Sequence, residues 1–229
     1  MVNIYVGWDG REIDAYNVCC ESIKHYTSRS FEYKIIPLKR QVLRDSGLYY
    51  RDSDPLASTE FTYTRFLVPL LQNYHGLAIF CDCDFLWQEG VEELMSSINL
   101  CDQKAVYVCK HDYVPSQEIK MDNKQQTSYP RKNWSSLIVW NCDHEKNKQL
   151  TKEVVNSSSG AFLHRFQWLE DCEIGDINIQ WNWLVGEYNE SQHGMPKALH
   201  YTNGGPWFEN YKNCPYAALW NKEYARITA

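Results

Sequence analysis

The chain has no Lys/Arg run and no basic stripe. Its 29 Asp and Glu outnumber its 23 Lys and Arg, for a formal net charge of −6. Proteins that grip a nucleic-acid polymer neutralise its phosphates with clustered cations, so that partner class is excluded. No apolar run approaches the roughly 20 residues that a membrane-spanning helix needs. The opening MVNIYVGWDG lacks the basic stretch and the long apolar stretch of a secretory signal. The 9 cysteines are odd in number, with no Cys-x-x-Cys pair and no even framework. Together these absences predict reduced thiols in a cytoplasmic compartment. The sequons at Asn133, Asn156 and Asn189 then read as chance matches. There is no internal repeat and no low-complexity tract.

What is present is an ordinary globular composition. The 229 residues, 44% hydrophobic and 23% charged, suit a single domain with a sizeable core. Aromatics reach 14%, including 9 Trp and 16 Tyr. Most of these belong in the core, but flat rings with a polar handle also stack on sugars and bases.

Along the chain, short apolar runs alternate with helical patterns. Asn3–Gly7 reads as a buried strand. Asp9 and Glu12 make a loose capping box before a helix carrying Tyr16, Cys19, Cys20 and Ile23. Phe31–Leu38 is a second strand, parallel to the first by the crossover rule. The polar stretch 40–57 predicts a loop. Ser58–Asn73 predicts a helix capped by Ser58 or Thr59, with Pro69 kinking or restarting it. Leu77–Cys81 is apolar throughout, as a central parallel strand should be. A short helix from Val91, strands at 105–109 and 136–140, a helix at 145–155 and a breaker at 156–160 follow. The C-terminal third shows no clean period. Strands alternating with helices predict an α/β fold with a mostly parallel central sheet flanked by helices. Ligands of such sheets bind at the carboxyl ends of the strands.

The sharpest motif is Phe80-Cys81-Asp82-Cys83-Asp84-Phe85. Two carboxylates one residue apart, leaving a buried strand at its ligand edge, can converge on one point. Such hard oxygen donors suit Mn²⁺ or Mg²⁺, which also take phosphate oxygens. Asp-x-Asp is also common in ordinary loops. Cys81 and Cys83 hint at a softer metal, but no further Cys or His stands close in sequence. The second motif is His200-Tyr201-Thr202-Asn203-Gly204-Gly205-Pro206-Trp207. Its His can return as a third ligand, and its glycines let backbone amides approach phosphate. By itself it also reads as a surface turn.

Together the two motifs resemble glycosyltransferase family 8 and its compact relatives. Thr62-Tyr63-Thr64-Arg65 is similar to that family's Tyr-x-Arg helix, and Ile4-Tyr5-Val6-Gly7-Trp8-Asp9 to its opening strand. Asn133-Trp134-Ser135-Ser136 through Asn141 is similar to the strand that lines the donor sugar. The order and spacing of the five segments agree over about residues 3–208. In size, and in its Trp-Asn-Trp and Pro-Trp-Phe-Glu-Asn segments, the chain looks most like compact bacterial and chlorella-virus glycosyltransferase domains, which would place it in a host cytoplasm if viral.

The resemblance implies a GT-A (nucleotide-diphospho-sugar transferase) fold, one domain over 1–229, with a nucleotide-binding half at about 1–110 and an acceptor half at about 111–229. It implies a metal site of Asp82, Asp84 and His200 holding Mn²⁺ or Mg²⁺. Donor contacts fall to Gly7, Trp8, Asp9, Arg65, Asp82, Cys83, Ser135, Ser136, Gly204 and Gly205. The donor is a UDP-sugar, UDP-glucose or a related UDP-hexose, and the acceptor a glycan or other hydroxyl. Transfer retains the anomeric configuration.

This chain also departs from the family pattern. Gly205 stands where a Lys is frequent. Ser136 or Leu137 replaces a usual Gly. In place of Asp-Gln-Asp it has Gly175-Asp176-Ile177-Asn178-Ile179-Gln180. Asp176 is the candidate near the anomeric carbon and acts with Arg65 in catalysis; Gln180 is second. Asp176 also suits the cap of a helix from Ile177. The loop 110–134 and the region of Trp181, Trp183 and Trp207 are expected to shape the acceptor pocket. A nucleotidyltransferase would carry a more basic first loop than Gly7–Arg11. A non-catalytic sugar-nucleotide-binding module remains compatible with the aromatic content.

Overall fold

The computed structural model describes residues 1–52, 54–55, 57–112 and 131–228. Its strands are β1 (Val2–Gly7), β2 (Tyr33–Leu38), β3 (Leu77–Cys81), β4 (Phe85–Trp87), β5 (Val106–Cys109), β6 (Leu137–Asn141), β7 (Ile174–Ile177), β8 (Trp183–Leu184) and β9 (Ala198–His200). Its helices are α1 (Ile13–Tyr26), α2 (Arg40–Asp45), α3 (Val68–Leu71), α4 (Val91–Ser97), α5 (Lys152–Ser157), α6 (Gly160–His164), α7 (Glu190–His193) and α8 (Ala217–Thr228).

The main sheet has the order β2-β1-β3-β6-β5-β7. β1 runs parallel to β2 and β3, and β5 runs parallel to β7. β6 alone is reversed, pairing antiparallel with both β3 and β5. The mostly parallel α/β sheet is therefore as the alternation predicts. Because β6 is reversed, its first residues lie at the edge where β3 ends. Ser136 and Asp82 are thus brought together, and the Asp82 amide donates to the Ser136 carbonyl at 2.9 Å.

β3 is central because Ala78, Ile79, Phe80 and Cys81 are all fully buried. Burying an Ile or Phe side chain stabilises by about 1.5–3 kcal/mol, so a fully apolar strand gains most in the middle. α1 covers the sheet with Ala15, Val18, Cys19, Cys20, Ser22 and Ile23, spaced at one helical face. A second, smaller sheet of β4-β9-β8 packs with Val18 of α1 and Trp220 of α8.

Several local expectations shift. The stretch 40–57 contains α2, held because Leu43 and Tyr49 reach the core. Ser58–Asn73 is no single helix: a 3-10 turn at Thr64–Leu67 leads into the one-turn α3. Pro69 sits in that helix's first turn, where its missing N–H costs nothing. The helix expected at 145–155 divides into a 3-10 turn at Glu145–Gln149 and α5, which Thr151 caps by accepting from the Val154 amide. The C-terminal third holds strands of two to four residues, too short to show a period. Trp181 and Trp183 belong to the core and not to a pocket wall, being 1% and 0% exposed. Trp181 packs in the main core against the Trp87 ring, and Trp183 in the cluster of the smaller sheet against Tyr188. Residues 113–130 of the expected loop lie outside the described residues. No helix among the described residues is long and apolar enough to cross a membrane.

Candidate metal and nucleotide-sugar site

Asp82 and Asp84 leave the carboxyl end of β3, and β4 begins immediately after them. β4 pairs antiparallel with β9 in the register Phe85↔His200. That register sets His200 beside Asp84, and the Tyr201 amide locks it by donating to the Asp84 carbonyl at 3.0 Å. The His200 Nε2 is 3.4 Å from Asp84 Oδ2. Its ring stacks on Phe85, with centroids 4.6 Å apart. One ligand atom from each of Asp82, Asp84 and His200 lies within 4.8 Å of the others. Two carboxylates and one imidazole at that spacing fit a divalent cation that takes oxygen and nitrogen donors.

Arg65 lies beneath this group and is only 5% exposed. Its Nη1 is 2.7 Å from Asp82 Oδ1 and donates to the Ser135 carbonyl at 2.8 Å, while Nε donates to the Phe61 carbonyl at 3.3 Å. The guanidinium also lies over the rings of Phe80 and Phe61. Ser135 and Ser136 are buried at the head of β6. The Ser135 Oγ meets His164 Nδ1 at 2.8 Å.

Burial pushes the His164 pKa down to about 3, and the charges of Arg65 and Arg51 add to it. The unfolded chain, near pKa 6.5, takes up this proton first. The stability tied to a neutral His164 is therefore complete above pH about 6.5 and lost as pH falls toward 3. His164→Gln is expected to flatten the fall in urea midpoint between pH 7 and pH 5. An unchanged fall would assign the acid sensitivity elsewhere.

At the end of β1, Gly7 is required by close approach: a Cβ there would lie 2.6 Å from the Phe61 ring. Trp8 is partly buried, with Lys39 Nζ 4.8 Å above its ring. Asp9 is fully buried. Its Oδ1 accepts from the Arg11 backbone amide and Nε, and its Oδ2 from Arg11 Nη2 and the Glu60 amide. Burial alone would raise the Asp9 pKa, but the Arg11 and Glu60 hydrogen bonds outweigh it and the net shift is downward.

The expected capping box does not form. The Glu12 amide donates to the Asp9 backbone carbonyl, and the Glu12 side chain makes no cap bond. That side chain runs inward, 2% exposed, to Cys83 Sγ at 4.0 Å. Burial, followed by the charges of Asp84 and Asp9, pushes its pKa up to about 9. Cys83 is itself fully buried, and burial with the nearby Glu12 charge raises its thiol well above the usual range.

After β9 the chain turns at Gly204, whose φ of +119° L side chains rarely adopt. The Gly204 amide donates to the Tyr201 carbonyl at 2.8 Å, so it is engaged within the turn. Gly205 is buried beside Trp207. Asp176 stands near the carboxyl end of β7, opposite Val108 of β5. Its side chain is 73% exposed and meets Lys110 Nζ at 3.0 Å. It caps no helix: the next turn is capped by Asn178, which accepts from the Gln180 amide. Gln180 is partly buried near Gly194.

No protein-family model matches the chain. Protein CDI of Arabidopsis thaliana is 49% identical over 223 residues, covering 96% of this chain and 85% of that protein. The chain belongs to the family of protein CDI. Among solved structures, the galactosyltransferase LgtC, in complex with donor and acceptor sugar analogues, superposes with a TM-score of 0.60 at 11% identity, covering 99% of this chain and 96% of that one. The bifunctional glycosyltransferase WbbM matches with a TM-score of 0.62 at 15% identity over 97% of this chain. This CDI-family chain spans about half (51%) of the WbbM chain. At these identities the likeness establishes the fold, which is that of the GT-A glycosyltransferases.

In this CDI-family chain several buried polar residues near the site carry no sequence motif. Asn182 is fully buried and meets both His200 and Ser136. His111, at the carboxyl end of β5, meets the Tyr188 hydroxyl at 2.7 Å. Burial and then the charge of His200 push the His111 pKa down to about 3. Asn182 lies inside the Trp-Asn-Trp segment, at the end of a 3-10 turn that leads into β8, and a polar residue between two aromatics is the available signal.

Proposed function

We propose that this chain is a metal-dependent glycosyltransferase. It moves a sugar from a nucleoside diphosphate donor, a UDP-hexose such as UDP-glucose, to an acceptor hydroxyl on a glycan or other molecule, with retention at the anomeric carbon. The observation that carries this reading is the convergence of Asp82, Asp84 and His200 within 4.8 Å at the carboxyl edge of a GT-A sheet, where α/β folds bind ligands.

These three side chains hold Mn²⁺, or Mg²⁺ in its place. When bound, such an ion supplies positive charge to the diphosphate leaving group. Arg65 orients Asp82 and adds a fixed cation under the phosphates, strongest in a water-excluded site. At the end of β1, where Gly7 makes room for the Phe61 ring, Gly7, Trp8 and Asp9 frame the base and ribose. The Asp9 carboxylate also braces Arg11, so the two act on the nucleotide as a unit. The Cys83 backbone, Ser135, Ser136 and the turn at Gly204 and Gly205 complete the donor cradle. The Gly205 amide is assigned to phosphate, since that of Gly204 closes the turn. Asp176, placed by Lys110, steadies positive charge at the anomeric carbon.

The test is a panel of sugar nucleotides scored for Mn²⁺-dependent transfer or hydrolysis, with and without EDTA. The expected result is one preferred UDP-hexose turned over only with metal. Equal binding of every donor in EDTA, with no turnover, would leave only a binding module. Product NMR checks stereochemistry, and an inverted first-formed product removes the retaining assignment.

A further inference from the structure

We propose that Asn182 is a positioning residue that fixes which ring nitrogen of His200 carries the proton, so that Nε2 presents a lone pair to the cation. This rests on the metal site proposed above.

The assignment follows a chain of donors and acceptors that starts at a backbone carbonyl. The Ser136 Oγ–H donates to the Asn133 carbonyl at 2.7 Å. The same Oγ is 2.8 Å from Asn182 Nδ2. Its one proton is committed, so Oγ accepts there and the Asn182 amide nitrogen faces it. Asn182 Nδ2 also donates to the Asn133 carbonyl at 3.3 Å. With the nitrogen placed, Asn182 Oδ1 is the atom 2.8 Å from His200 Nδ1. An amide oxygen only accepts. Nδ1 of His200 must then carry hydrogen, and in the neutral ring Nε2 is left with the lone pair. It is Nε2 that lies 3.4 Å from Asp84 Oδ2.

The geometry makes this arrangement stiff. Asn182 and His200 are 0% and 2% exposed, so water does not compete for their hydrogen bonds. The parallel register Leu184↔His200 keeps β8 beside β9, and Phe85 holds the ring from its face. A hydrogen bond on the far nitrogen that sets tautomer and aim is how metal-binding imidazoles are tuned.

The experiment titrates Mn²⁺ alone into the full chain and into Asn182→Leu and Asn182→Asp. Free Mn²⁺ is read by EPR, and the nitrogen coupling of bound Mn²⁺ by pulsed EPR. Circular dichroism selects folded protein. The wild type is expected to show one imidazole nitrogen on Mn²⁺. Asn182→Leu is expected to weaken Mn²⁺ binding about 10- to 100-fold and to lose that coupling. Asn182→Asp still accepts from Nδ1–H and is expected to keep the coupling, with affinity within a few-fold of the wild type. Wild-type affinity and coupling in Asn182→Leu would overturn the positioning role while leaving the metal site intact. So would loss of coupling in folded Asn182→Asp, which decides the matter by itself if Asn182→Leu does not fold. Absence of Mn²⁺ binding in the wild type would overturn the metal reading itself, and this inference with it.

Discussion

Asp84→Asn is expected to lower metal-dependent sugar transfer by about a thousandfold or more while leaving the melting temperature unchanged or higher. The loss follows because an amide is a far weaker ligand than a carboxylate for a hard cation, and charge stabilisation of a leaving group is usually a large part of catalysis. The stability follows from the surroundings. Asp84 shares its neighbourhood with Asp82, Asp9 and the buried Glu12, whose proton affinity the Asp84 charge raises. Removing one negative charge from that cluster relieves repulsion in the metal-free protein. Initial rates with and without Mn²⁺, beside a thermal melt, check both halves. A variant that keeps a tenth of the wild-type rate would mean that Asp84 is not a ligand. One that loses activity by unfolding would mean that Asp84 is a structural residue.

Arg65→Leu is expected to destabilise the fold by about 3 kcal/mol and to abolish transfer. Breaking a buried pair by removing one partner costs about 3–5 kcal/mol, because the other charge is left uncompensated. The Asp82 side chain is 15% exposed, which places the effect at the low end. The Ser135 and Phe61 carbonyls lose donors as well. Arg65→Lys should recover little, since an ammonium is a point charge and not a planar fork that spans three acceptors. Urea unfolding midpoints measure this. A cost below about 1 kcal/mol would make Arg65–Asp82 a surface-type pair and its activity loss purely catalytic.

The two carboxylates were legible because local sequence determines where they stand. Leu77–Cys81 is apolar at every position, and a strand buried on both faces has no other composition. The position of Asp82 and Asp84 at its carboxyl end follows directly. The Tyr-x-Arg resemblance points to Arg65, but not to the buried clamp that it makes, since Asp82 and Ser135 reach it from segments distant in sequence. The burial of Trp181 and Trp183 is hidden from the sequence for a related reason. An aromatic suits both a sugar platform and a core, and only tertiary packing separates them.

Asn182 and Glu12 show the limit more sharply. Glu12 has the spacing of a capping residue after Asp9, yet its side chain turns inward toward Cys83. Asn182 shares no motif with His200. They meet because β8 and β9 are neighbours in the small sheet.

By itself, then, the sequence determined the α/β class, the central strand and the two carboxylates at its end, because burial periodicity and chain adjacency act over a few residues. The tertiary structure decided the rest through strand registers. Phe85↔His200 brings the imidazole to Asp84, the reversal of β6 brings Ser136 to Asp82, and Leu184↔His200 brings Asn182 to the ring. A register slip of one residue in β9 would turn His200 to the opposite face. The site therefore depends on pairings between segments distant in sequence, whose energies belong to no single segment.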